Sequence, residues 1–181
     1  MRITSGILKG RTFKVPKEGV RPTTERTREA VFSSVAAYVP EARVLDLFAG
    51  AGGLGLEAWS RGAASVTAVE NVSKHWKNLQ KNFQTLEPTA GLGAWEVVRA
   101  DVYDYLKRPV GPFDLIFADP PYDEVDVPLL LNAVGDALAP DGLLVFEMQK
   151  RDSYTLPAEW ILLKEKKYSS TKVIFLERNH E

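Results

Sequence analysis

The sequence predicts an α/β fold: a doubly wound, mostly parallel seven-stranded sheet with an antiparallel last strand and a small N-terminal hairpin-and-helix extension. Three observations carry this reading. Strand and helix patterns alternate from Arg43 onward, as they do where crossover helices join parallel strands. A glycine-rich turn, Gly50-Ala51-Gly52-Gly53-Leu54-Gly55, follows the first apolar run. The fourth run, residues 115–118, stops on Asp119-Pro120-Pro121-Tyr122. Its two prolines cannot join a ladder, so they hold the backbone extended and leave a carboxylate and carbonyls aimed out of the sheet edge.

Size and composition bound the rest. At 181 residues, 45% apolar and 26% charged, the chain is expected to be one globular unit, with residues 1–40 as an extension of a main domain over 41–181. No run approaches the roughly 18 apolar residues of a membrane span, and the N-terminus carries no signal pattern. A cytoplasmic protein without a membrane partner is expected. The absence of cysteine removes disulfides, thiolate metal sites and cysteine nucleophiles. The two histidines, His75 and His180, have no metal-type companions, so no metal is expected and both are read as surface residues. The net charge of -1 conceals an uneven distribution. Residues 1–28 hold eight Lys/Arg against two Asp/Glu, a local +6, which leaves -7 on the remainder. A basic arm on an acidic body suits a polyanionic partner, although a solvated surface hairpin would look the same.

Taken in order, residues 2–15 read as a hairpin turning at Gly6 and Gly10. Thr23 or Thr24 caps a helix reaching about Tyr38, with Ala30, Val31, Val35 and Tyr38 as its apolar face. Strands follow at 44–48, 65–69, 95–99, 113–118 and 142–147. Between them lie helices to about Arg61, from a Ser73 cap through Trp76, Leu79, Phe83 and Leu86, to about Lys107, and over 127–138. Residues 160–167 and 172–177 close the chain as a hairpin that adds an antiparallel edge. Trp59, Trp76 and Trp95 fit core positions. Lys164, Lys166, Lys167 and Lys172 either extend a basic face or protect an edge strand.

Ligands of such sheets bind beyond the carboxyl ends of the strands. There the sequence places Asp46, the glycine turn, Glu70, Asp101 and Asp119. Glu70 suits the two hydroxyls of a ribose and Asp101 an adenine amine, although a strand-tip carboxylate is often only a helix cap. The turn also satisfies G-x-G-x-x-G with Glu70 about 20 residues on, as a nicotinamide dinucleotide site would. That reading explains neither Asp119-Pro120-Pro121-Tyr122 nor the basic arm. S-adenosylmethionine uses the same nucleoside geometry and explains both, since its methyl group would point toward Asp119. An exocyclic base amine is a poor nucleophile because its lone pair is delocalised into the ring. Accepting its hydrogens at Asp119 Oδ and the Pro120 carbonyl, with Tyr122 stacked on the base, would stabilise the developing charge. A paired base would first be flipped out.

These segments resemble the amino-methyltransferase branch of the class I S-adenosylmethionine enzymes. Lys9-Gly10-Arg11 and Arg21-Pro22-Thr23-Thr24-Glu25-Arg26-Thr27-Arg28 narrow the resemblance to the RsmD family of bacterial methyltransferases. It implies the Rossmann-like class I methyltransferase fold with an antiparallel seventh strand, and a methyltransferase of guanine N2 in 16S rRNA, with S-adenosylmethionine as cofactor and 16S rRNA or a small-subunit particle as partner. Asp119, Pro120, Pro121 and Tyr122 are then the catalytic loop. Asp46, Phe48, Gly50, Gly52, Glu70, Asn71, Asp101, Val102 and Asp119 are the cofactor set. Lys9, Arg11, Arg21, Thr23, Thr24, Arg26 and Arg28 face RNA, and a monomer suffices. One departure is Ser169 after Tyr168, where the family often has glycine, which puts the geometry of that turn in question. Adenine-N6 methylation of DNA, methylation of a protein glutamine, and non-catalytic RNA binding are the alternatives. The first two belong to families that more often carry Asn before the prolines.

Overall fold

The computed structural model describes residues 1–121, 123 and 126–179. Seven strands form one sheet: β1 (Arg43–Leu47), β2 (Ser65–Glu70), β3 (Ala94–Arg99), β4 (Phe113–Ala118), β5 (Leu138–Gln149), β6 (Trp160–Lys167) and β7 (Thr171–Arg178). Their order is β3-β2-β1-β4-β5-β7-β6. All pairings are parallel except those of β7 with β5 and with β6. The final hairpin adds the antiparallel edge that the sequence suggested, with β7 between β5 and β6 and β6 outermost. Lys164 and Lys167 are exposed on that edge, whereas Lys172 is buried, donating to the Asp152 carbonyl with its ammonium over the Tyr154 ring.

Strand alternation divides the apolar side chains between two cores. Val44, Leu115, Phe117, Leu143, Val145, Val173 and Phe175 face one side. They pack there with α1 (Glu25–Ser34), α2 (Gly53–Ser60) and α3 (Ser73–Leu86). Leu45, Leu47, Ile116, Ala118, Leu144, Phe146, Ile174 and Leu176 face the other, beneath α4 (Val102–Leu106) and α5 (Val127–Gly135). Each large side chain so buried contributes on the order of 1.5–3 kcal/mol. Trp59 is fully buried, and its indole donates to the Gly93 carbonyl at 2.8 Å.

The N-terminal segment joins the first core through Ile3, Leu8 and Phe13. The expected hairpin reduces to a single bridge, Arg2 with Thr12. The reason lies in α2, which takes the backbone donors that a longer ladder would need. Glu57 Oε1 accepts from the amides of Thr4 (3.1 Å) and Ser5 (3.0 Å), and Ser60 accepts from Ile7 and Leu8. Helix α1 is capped by Thr24, whose hydroxyl accepts from the Thr27 amide, and it stops at Ser34, short of Tyr38. There Ser33 and Ser34 turn their hydroxyls back onto the carbonyls four residues earlier, which weakens a helix. The N-cap of α3 is Val72, and Ser73 is its first residue with no capping hydrogen bond. Helix α5 ends at Gly135 rather than 138, because Leu138 already belongs to β5. At the Tyr168–Thr171 turn, where family members often have glycine, the Tyr168 amide donates to Thr171 O and the chain closes with Ser169 in place.

Candidate active site

The tip of β1 shapes the site. Phe48 adopts φ +56°, unusual for a side chain of its size, and bends the chain off the strand into the glycine turn. Gly52, at φ +89°, is the N-cap of α2, and a Cβ there would meet Leu79 at 2.4 Å. Gly55 lets α2 lie directly on the strands, since a Cβ would stand 3.0 Å from Asp46 Oδ2 and 3.2 Å from Val66. Its amide donates to Asp46 Oδ2 at 3.0 Å.

Around this turn opens a cleft of about 690 Å³. Eight of the nine residues expected to hold a cofactor line it: Asp46, Phe48, Gly50, Glu70, Asn71, Asp101, Val102 and Asp119. Gly52 is buried beneath the turn instead. Glu70 Oε2 accepts from the Gly50 amide (2.9 Å) and Oε1 from the Val72 amide (2.8 Å), so this carboxylate holds the turn in place. Asp101 does cap a helix: its Oδ1 accepts from Tyr103 and Asp104 at the start of α4.

Sequence reasoning missed part of the wall. The loop Gly19–Pro22 closes one side. His75 is buried rather than superficial, with Nε2 3.1 Å from the Glu18 carbonyl and Nδ1 4.0 Å from Glu70 Oε1. Its position one turn into the helix after Glu70 was the available signal. His180 and the catalytic-loop residue Tyr122 lie outside the described residues.

Asp119, Arg21, Pro22 and Thr23 line this cleft and also a second one of about 740 Å³. The catalytic-loop aspartate thus stands at the seam between two spaces, with Pro120 and Pro121 on the first. The second is walled by Arg26, Glu147, Lys150, Lys167, Tyr168 and the 169–171 turn. Thr23 Oγ1 lies 3.5 Å from Asp119 Oδ2, a long and weak contact.

Electrostatics at the seam are acidic. Burial pushes the Asp46 carboxyl up to about 8, the Gly55 amide opposes this, and nearby Glu70 adds to it. Burial also drives Asp119 well above the ordinary carboxylate range, and neighbouring Glu147 and Asp46 push the same way. The Thr23 hydroxyl and the Arg21 guanidinium pull it back. Glu147 is raised by burial too, against the Thr171 hydroxyl and Arg21. Such a wall favours a guest that brings positive charge or several N–H donors.

The residues expected to face RNA divide. Arg21 and Arg26 are exposed at the second cleft, beside Lys150 and Lys167. Lys9 and Arg11 are exposed but line neither cleft; they follow the turn fastened to Ser60 at the far end of α2. Thr24 lines the second cleft while capping α1. Arg28 is a correction. It is 0% exposed, with Nε 3.4 Å from Glu57 Oε2, and it donates to the carbonyls of Thr23 (3.1 Å) and Arg2. Buried there, it offers RNA no surface. Arg28, Val31, Phe32 and Val35 recur at i, i+3, i+4 and i+7, the spacing of one helix face, so the pattern already placed it inward.

The family model described as Conserved hypothetical protein 95 matches residues 1–177. The chain is 36% identical over 171 residues to ribosomal RNA small subunit methyltransferase D of Haemophilus influenzae, covering 92% of this chain and 88% of that protein. Against the Escherichia coli protein of the same name the identity is 36% over 170 residues, covering 92% and 84%. The solved structure of yhhF from Escherichia coli superposes with a TM-score of 0.88 at 35% identity, covering 100% of this chain and 99% of that one. Matched along nearly its whole length and in its fold, the chain belongs to the RsmD family.

Proposed function

We propose that this protein transfers a methyl group from S-adenosylmethionine to N2 of a guanine in small-subunit ribosomal RNA, as a monomer in the cytoplasm. The observation that carries the proposal is the place of Asp119-Pro120 at the seam of two clefts, one of nucleoside size and the other rimmed by Arg21, Arg26, Lys150 and Lys167. Four cations around a cavity suit an RNA backbone whose base enters it. The names of the Haemophilus influenzae and Escherichia coli relatives support the choice of RNA.

The first cleft fits S-adenosylmethionine in shape and charge. Its buried carboxyls, Asp46 and Asp119, are raised chiefly by burial and gain from the positive sulfonium and ammonium groups. Glu70 and Asp101 keep acceptor capacity beyond their backbone bonds, for ribose hydroxyls and an adenine amine respectively. Bound there, the cofactor supplies a methyl group activated by its positive sulfur. This chain's residues do the rest. Asp119 Oδ and the Pro120 carbonyl accept the hydrogens of the base amine, favour a pyramidal nitrogen, and stabilise the charge it gains. The rigid Pro120-Pro121 backbone fixes that geometry in advance. The amine sheds one proton to solvent as it gains the methyl group.

The test is labelled methyl transfer from S-adenosylmethionine to small subunits lacking their own modifications, followed by nucleoside analysis. Label in N2-methylguanosine is expected. Label in DNA or in protein glutamine would overturn the RNA assignment, and label in no acceptor would overturn the enzymatic one.

A further inference from the structure

Asp119 has a second carboxyl beside it. Ala118 pairs with Phe146 in the parallel register of β4 and β5, so Asp119 and Glu147 occupy the next matching positions. Adjacent strands run about 4.8 Å apart. The alternation that turns Phe117 and Val145 into the first core points both carboxyls to that same face. Glu147 is only 8% exposed, and what surface it keeps opens into the second cleft. Tyr168 shares that wall, and its hydroxyl is buried without a hydrogen-bond partner among the described residues. A buried carboxyl next to another is costly as a structural element, and an uncharged side chain of similar volume would hold the strand better. The Thr171 hydroxyl and the Arg21 guanidinium offset only part of that cost, which points to a guest in the cleft.

We propose that Glu147 selects guanine, accepting the N1–H of the target base while Asp119 and the Pro120 carbonyl accept the N2 amine. The assignment rests on the function proposed above and adds to it a residue that reads the base. Guanine alone among the common bases carries an N–H donor directly beside its exocyclic amine. Adenine flanks its amine with two ring acceptors and cytosine flanks its amine with one, so either would turn a lone pair toward the Glu147 carboxylate. A glutamine side chain has no second N–H at that distance. Two carboxyls side by side on adjacent strands match the guanine edge and reject the others by leaving acceptor against acceptor.

The test uses the full chain with two kinds of small subunit, both reconstituted without their own modifications, one with guanine and one with 2-aminopurine at the target position. The analogue keeps the N2 amine but presents a bare ring nitrogen in place of N1–H. The wild-type protein is expected to prefer guanine by at least about tenfold in kcat/KM. Glu147→Ala, which removes the acceptor, is expected to lose about 10–100-fold on guanine, while Glu147→Gln, whose amide can accept from N1–H or donate to the bare nitrogen, is expected to lose less and to erase the preference. S-adenosylmethionine affinity and Tm of the variant report that the fold and the first cleft are intact. A Glu147→Gln or Glu147→Ala protein that keeps the wild-type rate and preference overturns the assignment while the proposed function stands. A wild-type protein that never labels guanine N2 overturns both.

Discussion

The Arg28 guanidinium and the Glu57 carboxylate form an ion pair sealed from solvent, with Nε 3.4 Å from Oε2 and both side chains 0% exposed. Glu57 also takes the amides of Thr4 and Ser5 and the Arg61 guanidinium, so the pair ties the N-terminal segment, α1 and α2 together. Removing one partner leaves the other charged and buried. Arg28→Ala is therefore expected to cost about 3–5 kcal/mol of stability. Arg26→Ala should instead leave Tm close to wild type and reduce the salt slope of RNA binding by about one. Paired thermal melts and salt titrations check both. A slope change with no loss of stability in Arg28→Ala would contradict the buried-pair reading.

Asp46 links pH to stability and to cofactor affinity. Its folded carboxyl titrates at about 8, whereas in an unfolded chain an aspartate titrates near 3.9. Between those values the folded state holds a proton that the unfolded state has lost, so this group makes stability fall as pH rises from about 4 to about 8. Asp46→Asn should remove that fall, melting above wild type at pH 8 and level with it at pH 4. A cationic ligand favours the ionised carboxylate, so wild-type affinity for S-adenosylmethionine should increase from pH 6 to pH 8. Calorimetric titrations at both pH values would measure it, and an affinity flat with pH would count against the acidic-wall argument.

Asp119 must be ionised to accept the amine hydrogens, and its carboxyl is held well above the ordinary range by burial and by Glu147. Activity is expected to rise with pH as that carboxyl ionises. Asp119→Ala should lower kcat by about 10²–10³-fold and also weaken S-adenosylmethionine binding, because the same carboxyl lines the cofactor cleft. Asp119→Asn keeps an acceptor oxygen, so it should lose less and should lack the rising limb. A pH–rate profile of wild type and both variants separates these outcomes.

Gly55 is required by contact, since a Cβ would press on Asp46 Oδ2 and Val66. Gly55→Ala is expected to cost about 1–3 kcal/mol and to weaken cofactor binding as α2 is pushed off the sheet. Denaturant melts and S-adenosylmethionine titration measure the two effects, and an unchanged protein would mean that the helix yields freely.

Much of this was written in local pattern. Interior parallel strands are apolar on both faces, so β1, β2, β4 and β5 stood out as runs, and Asp46 within β1, Glu70 ending β2, Asp101 after β3 and Asp119 after β4 were visible because ligands gather where such strands end. The same rule could have marked Glu147, at the tip of β5. It did not stand out because nothing in one chain's order says that β4 and β5 are neighbours in register.

By itself, then, the sequence determined the fold class, the glycine turn and the row of carboxyls at the strand tips, since these depend on side-chain period and backbone freedom within a few residues. Tertiary structure alone decided which of them meet. It inserted β7 between β5 and β6, turned Arg28 inward onto Glu57, brought His75 against the loop before Arg21, and set Glu147 beside Asp119. The reason is distance along the chain. Pairing, burial and the electrostatics of adjacent carboxyls depend on residues tens of positions apart, which only the packed sheet brings within reach of one another.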